Sequence, residues 1–138
     1  MGQHDKKKKN MKKIIETPHA PAPIGPYNQA VMLGNLLYTS GQIPMHLETG
    51  MVETEDIAKA TKMVMNYLKV ILNEAKLNFE HVLKVSIFVK DMNDFQTINE
   101  IYATYFNEAT APARETVQVA RLPKDAPIEI SLIASLEA

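Results

Sequence analysis

Between residues 56 and 75 the positions of one face recur at three- and four-residue steps, at Ile57, Thr61, Val64, Leu68, Ile71, Leu72 and Ala75. On either side apolar residues alternate instead with period two, so the chain must set helix among strands. Thr54 or Asp56 can cap that helix. Upstream, residues 13–17 read as a short first strand. It is stopped by Pro18, Pro21, Pro23 and Pro26, since proline cannot donate to a ladder. Together with Gly25 these prolines predict an ordered loop with a restricted path. Residues 27–33 and 36–40 flank Gly34-Asn35 as a hairpin. Residues 41–55, with Pro44, His46, Glu48, Thr49 and Gly50, read as loop.

Residues 82–89 alternate, with Leu83, Val85, Ile87 and Val89 on one side and Lys84 and Ser86 on the other; Phe88 on the polar side is the exception. A second helix is expected from Asn93, with Gln96 completing a capping box and Phe95, Ile98, Tyr102, Tyr105 and Phe106 as its stripe. Residues 115–122 and 128–136 then read as strands around a turn at 123–127. In the last strand Ile128, Ile130, Leu132, Ala134 and Leu136 point one way, leaving Glu129 and Ile133 on the opposite face. The order βββαβαββ predicts an α+β fold, a six-stranded sheet with two helices on one face. Its other face, part apolar, is expected to be buried against a partner subunit.

The chain has 138 residues, 46% hydrophobic and 22% charged, which suits one domain over residues 11–138. Residues 1–10, with Lys6, Lys7, Lys8 and Lys9 against Asp5, read as a disordered basic tail of charge +3, leaving −4 on the remainder. That balance argues against a nucleic-acid partner. Apolar runs fall far short of the ~20 residues of a membrane span, so no membrane association is expected. With no Cys there is no thiolate nucleophile and no Cys-based metal site, and a cytoplasmic location is the expectation. The four histidines, His4, His19, His46 and His81, share no ligand spacing, so no metal site is read. Nucleotide-binding glycine motifs and the GxSxG elbow are absent.

Arginine usage is the sharpest chemical clue. Against 13 Lys there are only two Arg, Arg114 and Arg121. Arg114, following Pro112-Ala113 at the mouth of a strand, suits a fork that binds a carboxylate; spacing alone favours a surface or ion-paired role. Arg121, placed mid-strand, reads as structural. Glu129, between core residues Ile128 and Ile130, is either a half-buried carboxylate able to activate water or a solvated alternation partner. Tyr27, beside a rigid loop, is a site hydroxyl or a packing residue.

Several segments in order carry a resemblance: Ala22-Pro23-Ile24-Gly25-Pro26-Tyr27, Thr39-Ser40-Gly41-Gln42-Ile43-Pro44, Phe88-Val89-Lys90-Asp91-Met92-Asn93-Asp94-Phe95, Ala111-Pro112-Ala113-Arg114, and Val117-Gln118-Val119-Ala120-Arg121-Leu122-Pro123-Lys124 running to Ile128-Glu129-Ile130. From about Ile14 to Ala134 the chain resembles the Rid (YjgF) family, also called the L-PSP endoribonuclease family. The resemblance implies a chorismate-mutase-like α+β fold and a homotrimer whose sheets form a central barrel, with a site in each intersubunit cleft. It also implies deamination of 2-imino acids, 2-iminobutanoate and 2-iminopropanoate, to 2-keto acids and ammonia, with no metal, flavin or pyridoxal phosphate.

Carried over by position, Arg114 matches the carboxylate-gripping arginine and Glu129 the carboxylate near the attacking water. Tyr27, Ser40, Gly41 and Asn99 match pocket positions. Thr116 stands where many members have Cys; its backbone carbonyl can still accept a hydrogen bond from substrate or water. Two other readings attach to such a chain: an endoribonuclease or translation inhibitor, and a non-catalytic small-acid-binding or chaperone-like trimer.

Overall fold

The computed structural model describes residues 11–138, and the expected basic tail over residues 1–10 lies outside them. Six strands form one mixed sheet in the order β1-β2-β3-β6-β4-β5. They are β1 (Lys13–Ile15), β2 (Ala30–Leu33), β3 (Leu36–Thr39), β4 (Val82–Val89), β5 (Ala113–Gln118) and β6 (Ile128–Ser135), joined with two helices, α1 (Ile57–Glu74) and α2 (Phe95–Ala103). Only β4 and β5 run parallel, as the intervening α2 crossover requires; the other neighbours are antiparallel.

Asp56, not Thr54, caps α1: in extended backbone its side chain accepts from Lys59 N at 3.0 Å. The helix buries Ala60, Thr61, Val64, Met65, Leu68, Ile71 and Leu72. These meet Val85, Ile87 and Val89 of β4 and Ile128, Ile130, Leu132 and Ala134 of β6 in one core. Burial of each large aliphatic side chain contributes roughly 1.5–3 kcal/mol. Between β2 and β3, Gly34 holds φ 59°, the first central position of a tight hairpin turn.

The structure corrects several sequence expectations. Leu83 leaves the inward row and is 45% exposed, because a register shift between Val82 and Lys84 makes it the extra residue of a bulge. Residues 93–96 form no capping box. Asp91 accepts from Asn93 N, opening a single 3-10 turn over Met92–Asp94, and α2 follows at Phe95. β5 starts two residues earlier than expected and stops at Gln118, because its partner β4 ends at Val89. Arg121 therefore lies beyond the strand, on the surface, with Nε 2.6 Å from Asp125 Oδ1. Leu136 falls past the end of β6 and is exposed.

β1 and β2 are shorter than expected for one reason. Thr17 gives its backbone not to a ladder but to the buried Gln29 side chain: Thr17 N donates to Gln29 Oε1 at 2.7 Å, and Gln29 Nε2 donates to Thr17 O at 3.0 Å and Pro21 O at 2.9 Å. One buried amide thus replaces the hydrogen bonds that the proline-rich loop cannot make within itself. It also holds that loop against the sheet end where Tyr27 and Ser40 sit.

The sheet face away from the helices carries Glu129, Ser131 and Ile133 of β6, opposite Phe88, Ser86 and Lys84 of β4. Tyr38, Leu36, Leu33 and Val117 on the same face are 37–51% exposed.

Candidate active site

Beyond the end of β3 the chain returns to its partner β6 at a two-bond antiparallel bridge, Gln42 N to Ile130 O at 2.8 Å and Ile130 N to Gln42 O at 3.1 Å. The bridge sets Gly41 directly against Glu129, where a Cβ would come within 2.5 Å of the carboxyl carbon. A side chain at 41 would displace the Glu129 carboxyl from this position. Beside it, Ser40 Oγ donates to Asn28 O at 2.5 Å, which commits its proton and leaves its lone pairs free to accept. Tyr27, half exposed, forms the lip, its hydroxyl accepting from Ile24 N at 3.4 Å.

Tyr27, Ser40, Gly41 and Glu129 line one cleft of about 350 Å³, with apolar walls from Ile24, Ile43 and Met45. Burial raises the Glu129 pKa above the usual carboxylate range. A carboxyl so shifted is better matched to proton transfer near neutrality than an exposed one.

Arg114 lies elsewhere. Its register partner is Val85, whose side chain faces the helices, whereas Glu129 is opposite Phe88 on the outer face. Within one chain the sheet separates the two groups. Arg114 Nη1 donates to Asn99 Oδ1 at 2.7 Å. Its guanidinium carbon sits 4.8 Å from the centroid of Tyr102 and 5.6 Å from that of Phe95. Phe95, Asn99 and Tyr102 fall at i, i+4 and i+7 of α2, one stripe that cradles the cation. Burial pushes the Tyr102 hydroxyl up to about 12 against the opposing pull of Arg114, so it remains an O–H donor at neutral pH. Among the described residues no carboxylate pairs with Arg114, and its remaining N–H groups are uncommitted. Thr116, register partner of Ile87, shares the helix-facing side with Arg114.

The expected site residues therefore form two constellations: Tyr27, Ser40, Gly41 and Glu129 in the cleft, and Arg114, Asn99 and Thr116 under α2. The cradling role of Phe95 and Tyr102 was hidden in sequence, where both read as core stripe; Arg114 being one of only two arginines could have prompted the question of what supports it. Among the described residues no three His, Asp or Glu side chains cluster as metal ligands. No helix among them is long and apolar enough to cross a membrane.

Together these features define a class: an α+β protein with a carboxylate cleft at one sheet end and an aromatic-cradled arginine beneath a helix. A family model described as endoribonuclease L-PSP matches residues 17–136. The chain is 49% identical over 126 residues to the 2-iminobutanoate/2-iminopropanoate deaminase of Escherichia coli, covering 90% of this chain and 98% of that protein. It is 49% identical over 127 residues to a RutC family protein of Pyrococcus horikoshii, covering 92% and 100%. The crystal structure of E. coli TdcF with bound serine superposes with a TM-score of 0.82 at 46% identity, covering 89% and 98%. The chain belongs to the Rid (YjgF) family.

Proposed function

We propose that this protein hydrolyses 2-imino acids, of the 2-iminobutanoate and 2-iminopropanoate type, to 2-keto acids and ammonia. The observation that carries the reading is Arg114: a guanidinium oriented by Asn99 and two aromatic rings, with no carboxylate partner among the described residues. Such a fork awaits a small carboxylate. The reading also requires oligomerisation. Arg114 and Glu129 occupy opposite faces of one sheet, so a site using both draws them from two chains, as in a homotrimer with intersubunit sites. The exposed apolar residues on the same sheet face as Glu129, Tyr38 and Val117 among them, suit such an interface.

In this site the substrate carboxylate docks on Arg114 and presents the adjacent C=N carbon to a water held by Glu129. As the C–O bond forms, Glu129 takes the water proton. The Ser40 lone pairs accept from the nitrogen. Glu129 then returns that proton to the nitrogen and, as the C–N bond breaks and the C=O bond forms, takes the proton of the new hydroxyl, which passes to solvent or to the departing ammonia and leaves the keto acid behind. A protonated imine is electrophilic enough to need no covalent nucleophile, so orientation and one proton carrier supply the rate.

The test generates 2-iminobutanoate in situ with a threonine dehydratase, traps residual imine with semicarbazide, and follows 2-ketobutanoate. Wild type should speed keto-acid release, and Arg114→Ala should lower that acceleration at least about a hundredfold. An Arg114→Ala protein with normal folding and undiminished hydrolysis overturns the reading.

A further inference from the structure

β3 and the bridge beyond it do not keep one register on β6. In β3, Leu36, Leu37 and Tyr38 pair with Ser135, Ala134 and Ile133. Continued residue for residue, that pairing would set Gly41 opposite Ile130, but Gln42 stands there instead. Between the Thr39–Leu132 contact and the Gln42–Ile130 bridge, β6 uses one residue, Ser131, and the facing segment uses two, Ser40 and Gly41. This is a β-bulge, a device that re-aims side chains and is over-represented beside active sites.

Its effect on the cleft follows from the pleat. Residues directly opposed in an antiparallel pair share a face, and Ile130 is fully buried in the core beneath the helices. Without the extra residue Gly41 would take that helix-facing side. With it, Gln42 takes the side and is 5% exposed, while Gly41 turns against the Glu129 carboxyl. Ser40, the other residue of the bulge, is tied to the segment entering β2, with Ser40 N donating to Gln29 O at 2.8 Å and Ser40 Oγ to Asn28 O.

A bulge disrupts the ladder locally, and here one side chain repairs it. The β3 pairing stops at Tyr38–Ile133, one step short of the Thr39 carbonyl that Leu132 N would meet next. Leu132 N donates instead to Thr39 Oγ1 at 2.9 Å. Leu132 is buried, and a buried N–H must find a partner. Threonine, stiff at χ1, holds that acceptor in place. Valine at 39 would fill the same space and leave Leu132 N two choices: to stay unpaired, or to recover the carbonyl of residue 39 by closing the bulge. Closing it slips the register by one residue and turns Gly41 away from Glu129.

We propose that Thr39 is a positioning residue of the imine site: its hydroxyl, by taking the Leu132 N–H, holds open the bulge that turns Gly41 toward Glu129. This rests on the deaminase reading and deepens it. Thr39 acts on the half of the site that activates water. The arginine that grips the carboxylate stands on the other face of the sheet and comes, in that reading, from a second chain. Hydrolysis and acid binding should therefore respond differently to a change at 39.

The experiment compares wild type, Thr39→Val, Thr39→Ser and Arg114→Ala. For each it records imine hydrolysis in the dehydratase-coupled assay, 2-ketobutanoate affinity by calorimetry, melting temperature and light-scattering mass, with assays run well below every melt. We expect Thr39→Val to lose about ten- to a hundredfold in hydrolysis while binding 2-ketobutanoate within about threefold of wild type, the split expected of a misplaced catalytic group. Thr39→Ser, which keeps the hydroxyl, should hydrolyse within about threefold of wild type. Thr39→Val hydrolysing at the wild-type rate overturns the inference, and loss in Arg114→Ala keeps the deaminase reading standing. Thr39→Ser as impaired as Thr39→Val also overturns it, since the hydroxyl is then not the active element. Equal loss of hydrolysis and binding assigns Thr39 to the fold and overturns it as well. If Thr39→Val has an altered mass, Thr39→Ala takes its place under the same criteria, and altered mass in both assigns Thr39 to the fold. Wild type without imine hydrolysis overturns both readings together.

Discussion

A Cβ on Gly41 would stand 2.5 Å from Glu129 Cδ and 2.8 Å from Glu129 Cγ. The absent side chain at 41 is what lets the carboxyl of 129 occupy the cleft. Since the obstacle is the end of a flexible side chain and not backbone, the fold can absorb a methyl group by turning Glu129 aside. We expect Gly41→Ala to change stability by no more than about 1 kcal/mol and to lower kcat/KM for imine hydrolysis by about ten- to a hundredfold, the usual effect of a misplaced catalytic group. Parallel thermal melts and dehydratase-coupled kinetics measure both.

Glu129 itself should leave a signature in the pH dependence of stability. Burial raises its folded-state pKa above the ordinary 4.5. The folded state therefore favours the neutral acid. Its stability contribution is fully present below pH 4.5 and is lost as pH rises through the folded pKa. Glu129→Gln keeps the shape without the charge. It should be more stable than wild type at pH 7, with the gap closing as pH falls into the carboxylate range. Imine hydrolysis by this variant should fall about 100- to 10,000-fold. Denaturant titrations at a series of pH values check the first part; a gap that does not vary with pH contradicts it.

The opposite placement of Arg114 and Glu129 on the sheet predicts complementation between defective chains. Arg114→Ala and Glu129→Ala proteins, each inactive alone, should regain about a quarter of wild-type activity when refolded together in equal amounts, because random assembly into the proposed trimer leaves one site in three intact in each mixed trimer and one in four on average. The readout is keto-acid release after co-refolding, compared with the separately refolded proteins mixed without exchange. No recovery in co-refolded trimers contradicts a site shared between chains.

The strands and helices were largely legible because burial leaves a periodic record. The row Ile128, Ile130, Leu132 and Ala134 marks β6, and the 3.6-residue stripe marks α1, whatever else the chain does. Boundaries were less so. The outward turn of Leu83 and the end of β5 leave no periodic mark, because a bulge and the length of a partner strand are set by pairing between segments. Asn93 lost its expected cap to Asp91, a competition between neighbouring side chains that spacing does not rank.

The candidate site residues could each be named from sequence, by residue type and by resemblance to a family. Their arrangement could not. Sequence by itself determined the α+β class, the order of elements and the family, because these follow from local hydrophobic period and from segments read in order. Tertiary structure alone decided that Gly41 meets Glu129, that Phe95 and Tyr102 carry Arg114, and that Arg114 and Glu129 face opposite sides of the sheet. Each of these depends on strand register across segments far apart in the chain, and a register has no record in the composition of either strand taken separately.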